Sequence, residues 1–239
     1  PIAYMLSLGN KLKFDLHDAI RVFAGQERVT ALGLYVEALP DPRAFQEAVD
    51  FARELGKPIV AIKTGRTEVA QKMVVSHTAS MAGSDDLVTA LFQRLGVARV
   101  DSLEALMEAL KVLHVLGPLA GGRIGAMSTS GGDLTLLADA LGPDLNMPPL
   151  SEQVAQDLQA VIHPLMKAAN PFDFQMFDWD DEESMARNFS AFMQEKFDVA
   201  LCLLDYPRED ICDQSTWGGA ERGFVRAAKE TATKAAVLS

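Results

Sequence analysis

Leu55-Gly56-Lys57-Pro58-Ile59-Val60-Ala61-Ile62-Lys63 closes a helix and opens a strand with almost nothing between them. Gly56 suits the left-handed position that ends helices, and Pro58 cannot continue one. The uninterrupted apolar run that follows, like Ala31-Leu32-Gly33-Leu34-Tyr35-Val36 before it, suits a strand covered on both faces by helices, as in a parallel sheet. Outward from this junction the pattern alternates. Strands are predicted over Ile2–Ser7, Thr30–Val36 and Pro58–Lys63, and helices over Leu12–Ala24, Asp41–Leu55, Asp85–Leu95 and Asp101–Leu116. The turn formers Gly117-Pro118-Leu119-Ala120-Gly121-Gly122 then break the pattern, and it restarts. A strand over Arg123–Thr129, a loop and helix over Gly131–Gly142, a helix over Ser151–Val161 capped by Ser151, and a strand over Phe197–Leu204 follow. The expected architecture is two tandem flavodoxin-like α/β domains with parallel sheets, residues 1–117 and 123–239, joined by a linker at 118–122.

The 239 residues suffice for two domains with full cores. A net charge of −11, without a cluster of basic residues, argues against nucleic-acid binding, since such a chain repels a phosphate backbone. No apolar run is long enough to span a membrane. Cys202 and Cys212 make neither a disulfide framework nor a zinc site, so a reducing cytosol is the expected compartment. The chain opens on Pro-Ile-Ala and stops at Lys-Ala-Ala-Val-Leu-Ser, as another strand begins, which reads as a fragment of something longer.

Open parallel sheets gather ligands at the carboxyl ends of their strands. Four segments fall there: Ser7-Leu8-Gly9-Asn10, Tyr35-Val36-Glu37, Lys63-Thr64-Gly65-Arg66, and the loop Ser76-His77-Thr78-Ala79-Ser80-Met81-Ala82-Gly83-Ser84. The last sets one histidine among hydroxyls and small residues, and its amides and hydroxyls can donate to phosphate oxygens, while Ser84 or Asp85 could cap the next helix. A neutral imidazole is a competent nucleophile, and a carboxylate such as Glu37 could hold its Nδ1 proton and leave Nε2 to attack phosphorus. The ordinary alternatives are a capping loop with a solvent-facing histidine and a strand-ending surface acid. In the second half Ser128-Thr129-Ser130-Gly131-Gly132-Asp133, between a strand and a helix, can form an anion cradle, though it lacks a Walker lysine and a dinucleotide glycine pattern. His114 sits on an apolar helical face and reads as a core-edge histidine. The acidic run Asp178–Glu183 reads as a solvated face or a helix start, with Trp179 a weak interface marker.

Ser7-Leu8-Gly9-Asn10-Lys11, Glu37, Gly56-Lys57-Pro58-Ile59-Val60-Ala61-Ile62-Lys63-Thr64-Gly65-Arg66, Ser76-His77-Thr78, Ala82-Gly83-Ser84-Asp85, Ser130-Gly131-Gly132 and Asn170-Pro171-Phe172-Asp173 together resemble the NDP-forming acyl-CoA synthetases. That group includes ADP-forming acetate:CoA ligase and, more distantly, the succinyl-CoA ligase α chain. The resemblance implies two succinyl-CoA-ligase-like domains, His77 as a phosphohistidine and Glu37 as its supporting acid. It also implies phosphate binding by Gly9, Asn10, Gly65, Ser76, Thr78, Gly83, Ser84, Ser130, Gly131 and Gly132, and no metal site of the chain's own. CoA and ATP or ADP with Mg²⁺ would be substrates of the full-length enzyme, with none expected to be bound by this fragment. A small carboxylic acid or its acyl-CoA would be the other substrate. A CoA-binding domain and an ATP-grasp domain, on the same or a partner chain, would complete the reaction, and a homo-oligomer is compatible with it. Ala79 stands where the family usually has glycine, and Gly132-Asp133-Leu134 where it has a Gly-Pro-Gly type turn. These departures fit a rival reading, a non-catalytic acyl-CoA-sensing or scaffolding relative. A third, a plain small-molecule or response-regulator-like flavodoxin module, would want a cluster of strand-end acids for Mg²⁺, and only Glu37 and Asp205 stand in such places.

Overall fold

The computed structural model describes residues 2–8, 14–39, 41–71, 73 and 84–239. The chain divides into two compact units, Pro1–Pro118 and Leu119–Ser239. In the first, α1 (Leu16–Ala24) starts where Asp15 and Asp18 form a reciprocal capping box, satisfying amides that the helix's first turn leaves unpaired. The predicted start at Leu12 falls outside the described residues, but Phe14 and Asp15 are already non-helical. Next come β1 (Leu32–Val36), α2 (Pro42–Glu54), β2 (Ile59–Lys63), α3 (Asp85–Leu95), β3 (Ala98–Arg99) and α4 (Leu103–Leu116). α2 has Asp41 as N-cap and Pro42 at its first position.

The described strands of this unit form a parallel sheet in the order β1-β2-β3, with Leu32 opposite Ile59 and Val36 opposite Lys63. β2 is central and buried throughout, as its unbroken apolar run requires. β1 buries only alternate residues, and Tyr35 is 57% exposed, because β1 lies at the edge of the described sheet. The core packs Phe45 and Phe92 against Ala48, Ala52 and Ala61. Two expectations fail. Ile2–Ser7 forms no strand: Met5 is 90% exposed, Tyr4 stacks on Phe23 instead, and apolar residues without a neighbouring strand have no ladder to join. His114 is exposed, its Nδ1 2.8 Å from the Thr30 hydroxyl, because α4 fully buries only Leu106.

The second unit runs β4 (Ile124–Ser128), α5 (Gly131–Ala140), α6 (Glu152–Val161), β5 (Phe172–Asp173), α7 (Glu182–Met193), β6 (Val199–Leu203), α8 (Trp217–Thr231) and β7 (Ala235–Leu238). Its parallel sheet has the order β5-β4-β6-β7. After β4 the chain goes to one side, to β5, and returns on the other side, to β6. The strand order therefore reverses beside β4, and a crevice opens beyond the carboxyl ends of β4 and β6. The core is aromatic, with Phe172, Phe189, Phe192 and Phe224 fully buried. Gly125 admits a further ring of this core, for a Cβ there would lie 2.3 Å from the Phe197 ring. The predicted loop before α5 is absent, because Ser130 caps the helix directly. The acidic run is a helix start: Asp181 caps α7, and Glu182 and Glu183 occupy its first turn. Both sheets are parallel and helix-flanked, the α/β architecture that the sequence predicts.

Candidate functional site

β2 delivers Lys63 to the carboxyl edge of the first sheet, where the next backbone amide, Thr64 N, donates to the Val36 carbonyl at 3.0 Å and ties the ends of β1 and β2 together. The chain then turns through Gly65 at φ +74°, a left-handed conformation that favours glycine. Lys63 is 2% exposed and its Nζ donates to the Thr64 carbonyl. Burial pushes the Lys63 pKa below its ordinary value; the charges of Asp85 and Glu37 oppose that shift, and the charge of Arg99 reinforces it. Asp85 opens α3, and its Oδ1 accepts from Arg99 Nη2 at 2.8 Å, the pair largely shielded from water. Arg99 also donates to the Thr89 hydroxyl. Arg66, just past the turn, pairs with Asp101. Glu37, half-buried at the end of β1, thus belongs to a cluster of two carboxylates and two cations at one sheet edge.

Of the predicted site residues, Glu37 and Gly65 lie at this edge. Ser84 is exposed at the N-cap position of α3, but its side chain makes no capping bond. Asp85, the alternative cap, is committed to Arg99. His77, Ser76, Thr78, Gly83, Gly9 and Asn10 lie outside the described residues. Sequence reasoning missed the Asp85–Arg99 pair, because fourteen residues and an entire helix separate the partners. Lys63 did carry a signal, a charge ending an otherwise apolar strand.

At the carboxyl edge of the second sheet the hydroxyls are engaged in holding backbone. Ser128 is buried, donates to the Leu203 carbonyl at 3.1 Å and accepts from Ser130 N at 3.0 Å. Ser130 Oγ accepts from Asp133 N at 3.2 Å as the N-cap of α5. Gly131 and Gly132, exposed in the first turn of α5, have no side chains to cover their amides, which suits them to an anion. Acids crowd the same turn: Asp133 is part of it, and Asp173 Oδ2 lies 3.5 Å from where a Cβ on Gly131 would stand. Asn170 works as a clip, accepting from Ala126 N at 3.1 Å and donating to the carbonyls of Ile124 at 2.8 Å and Pro148 at 2.9 Å. Among the described residues no group of three or more His, Cys, Asp or Glu could hold a metal, and no helix is long and apolar enough to cross a membrane.

Residues 1–113 match the family model of the succinyl-CoA ligase like flavodoxin domain. Over 170 residues the chain is 29% identical to the ADP-forming acetate–CoA ligase of Methanocaldococcus jannaschii, which covers 71% of this chain and 24% of that protein. It is 27% identical over 244 residues to the α subunit of the ADP-forming acetate–CoA ligase II of Pyrococcus furiosus, covering 98% of this chain and 50% of the relative. Among solved structures, the apo form of dinucleotide-forming acetyl-coenzyme A synthetase 1 from Ca. Korarchaeum cryptofilum superposes with a TM-score of 0.79 at 24% identity, over 97% of this chain and 49% of that one. The same enzyme with phosphate and ADP gives 0.76. At that identity the likeness shows the fold alone. The chain spans only a quarter to a half of the length of these curated relatives.

Proposed function

We propose that this chain, similar to ADP-forming acetate–CoA ligases over much of its length, is the phosphoryl-relay portion of an acid–thiol ligase of the NDP-forming acyl-CoA synthetase family. In the reaction acyl-CoA and phosphate give an acyl phosphate and CoA. Nε2 of His77 attacks its phosphorus, the P–O bond to the acyl group breaks and the carboxylate leaves. The phosphoryl group then passes from phospho-His77 to a nucleoside diphosphate, and the sequence runs in reverse when acyl-CoA is made. Glu37 accepts the Nδ1 proton of His77 in a hydrogen bond, which sets the tautomer and steadies the positive charge of the phosphorylated ring. Gly9, Asn10, Gly65, Ser76, Thr78, Gly83 and Ser84 supply donors to the phosphate in the first unit, as do Ser130, Gly131 and Gly132 in the second. The CoA-binding and ATP-grasp domains, the latter bringing nucleotide with Mg²⁺, come from elsewhere in the same chain or from a partner.

The observation that carries this reading is Glu37 at the carboxyl edge of the first sheet, in one charged cluster with Lys63, Asp85 and Arg99. The assembled enzyme, given labelled nucleoside triphosphate and Mg²⁺, should acquire an acid-labile, base-stable label on His77. Label on a serine, or none, contradicts the relay. A second reading, a non-catalytic acyl-CoA-sensing or scaffolding relative, draws support from Asp133 and Asp173 beside Gly131, where a relay needs room for an anion. It predicts acyl-CoA binding without any label on His77.

A further inference from the structure

Among the described residues, two of the cations at the carboxyl edge of the first sheet are spent on side chains. Arg99 donates to Asp85 at 2.8 Å and to the Thr89 hydroxyl, and Arg66 pairs with Asp101. Lys63, at 2% exposure, instead donates through Nζ to the carbonyl of the residue that follows it, Thr64. That carbonyl shares its peptide group with the Gly65 amide. The peptide is trans, so its C=O and N–H point in opposite directions, and holding the oxygen on Lys63 aims the Gly65 N–H the other way. Thr64 is fixed from its other side too, its own amide donating to the Val36 carbonyl at 3.0 Å. Gly65 sits at φ +74°, so the chain turns here without a Cβ in the way. This one peptide group therefore has little freedom to rotate.

Gly65 is buried, yet among the described residues no backbone carbonyl or side chain accepts from its N–H. Buried amides are rarely left without an acceptor. An ammonium on the carbonyl also polarises the peptide, which makes its N–H a stronger donor in a site shielded from water. A fixed, polarised donor of this kind suits an anion. We infer that Lys63 is a positioning residue of the phosphoryl relay: through the Thr64 carbonyl, its ammonium holds the Gly65 N–H as a fixed donor to the phosphoryl oxygens. The inference rests on the relay proposed above, in which Gly65 binds phosphate. Lys63 acts through the peptide group and does not itself touch the anion. The charged groups that bear on it are Asp85 from α3, Glu37 from the end of β1 and Arg99 from β3. Burial lowers its pKa from 10.5 all the same, so it loses its charge at a lower pH than an ordinary lysine.

The carbon-detected NMR correlation between the Thr64 carbonyl carbon and the Gly65 nitrogen reports on this peptide group alone. In the whole chain, inorganic phosphate should shift the Gly65 nitrogen saturably, and rising pH should shift the Thr64 carbon with an inflection below 10.5. Lys63→Met should erase that inflection and weaken phosphate binding, read at Gly65, by about tenfold or more. Lys63→Gln keeps a donor without the charge, so it should fall between the two and serves in place of a Lys63→Met variant that folds poorly. In the assembled enzyme, labelling of His77 should slow by about tenfold or more in Lys63→Met at neutral pH. The wild-type rate should decline on the alkaline side as Lys63 loses its proton, and the rate of the variant should not. Label on His77 with a Gly65 nitrogen that phosphate leaves unmoved overturns the inference alone. So do wild-type phosphate affinity and labelling rate in a folded Lys63→Met or Lys63→Gln variant. An unlabelled His77 in the wild type overturns the relay itself, and the inference with it.

Discussion

At the carboxyl edge of the first sheet a buried lysine stands in the combined field of Asp85, Arg99 and Glu37, whereas the same edge of the second sheet carries hydroxyls, carboxylates and a pair of indoles, with no cation lining its cleft. The two edges arise from one architectural rule, parallel strands whose carboxyl ends feed loops and helix starts. The residue that ends each strand therefore decides the chemistry. Lys63 ends β2 of the first unit and introduces a buried charge that its neighbours must balance. Ser128 ends β4 of the second and is absorbed into backbone hydrogen bonds. The cores differ as well: the second is built on stacked and edge-on phenylalanines, the first on alanines around Phe45 and Phe92.

The contrast is tested most severely by removing one group from each edge. His77→Asn should abolish acyl-CoA formation by the assembled enzyme, while Ser130→Ala, which removes the cap of α5, should cost about 1 kcal/mol of stability and leave the rate within about tenfold. Equal loss in both variants would place the second edge in the relay on the same footing as the first. Phe189→Ala should destabilise the second unit by about 3–5 kcal/mol, read from the emission of Trp179 and Trp217 in denaturant, because Phe189 is fully buried in contact with Phe174 and Phe224.

Alkaline pH should move the two regions in opposite directions. Lys63 is held below its ordinary 10.5 by burial, so between its lowered value and 10.5 the unfolded chain binds more protons than the folded one. Stability should rise with pH across that interval, and Lys63→Met should remove the rise. Tyr206 is pushed from 10.0 up to about 12, by burial and by its hydrogen bond to Glu221. Here the folded chain keeps a proton that the unfolded chain releases, so stability should fall between those values, and Tyr206→Phe should flatten the fall. Denaturant midpoints measured against pH separate the two. The smallest effect contrasts two helix starts. Asp41→Ala removes bonds to the amides of Arg43 and Ala44 and should cost about 1 kcal/mol in a thermal melt, whereas Ser84→Ala, with no capping bond to lose, should stay within about 0.5 kcal/mol.

The Gly56-Lys57-Pro58 junction made β2 and the parallel sheet legible, because a helix stop abutting an unbroken apolar run has few other solutions. The helix Asp85–Leu95 was equally plain. Ile2–Ser7 misled, since strand-like composition creates no strand without a partner. β3 and β5, two residues each, are too short to show any periodicity. α8 was obscured by Gly218, Gly219 and Gly223, poor helix formers, of which Gly223 lets α8 approach α7 so closely that a Cβ would lie 3.2 Å from Ala186 N. Glu37 was legible as a strand-end acid, but its charged neighbours were not, because Asp85 and Arg99 meet only through the fold. The paired indoles escaped for the same reason: Trp179 and Trp217 come from separate segments, and only the folded chain puts them on one cleft.

The central claim is that Glu37 and His77 act together at the edge of the first sheet. The rate at which His77 acquires acid-labile phosphate, compared between the wild type and Glu37→Gln in the assembled enzyme, tests it most directly. The account predicts slowing by about 10²-fold or more in a variant whose stability stays within about 0.5 kcal/mol of the wild type, because the amide cannot steady the charged ring. Phosphorylation of His77 at the wild-type rate in a folded Glu37→Gln variant would contradict it.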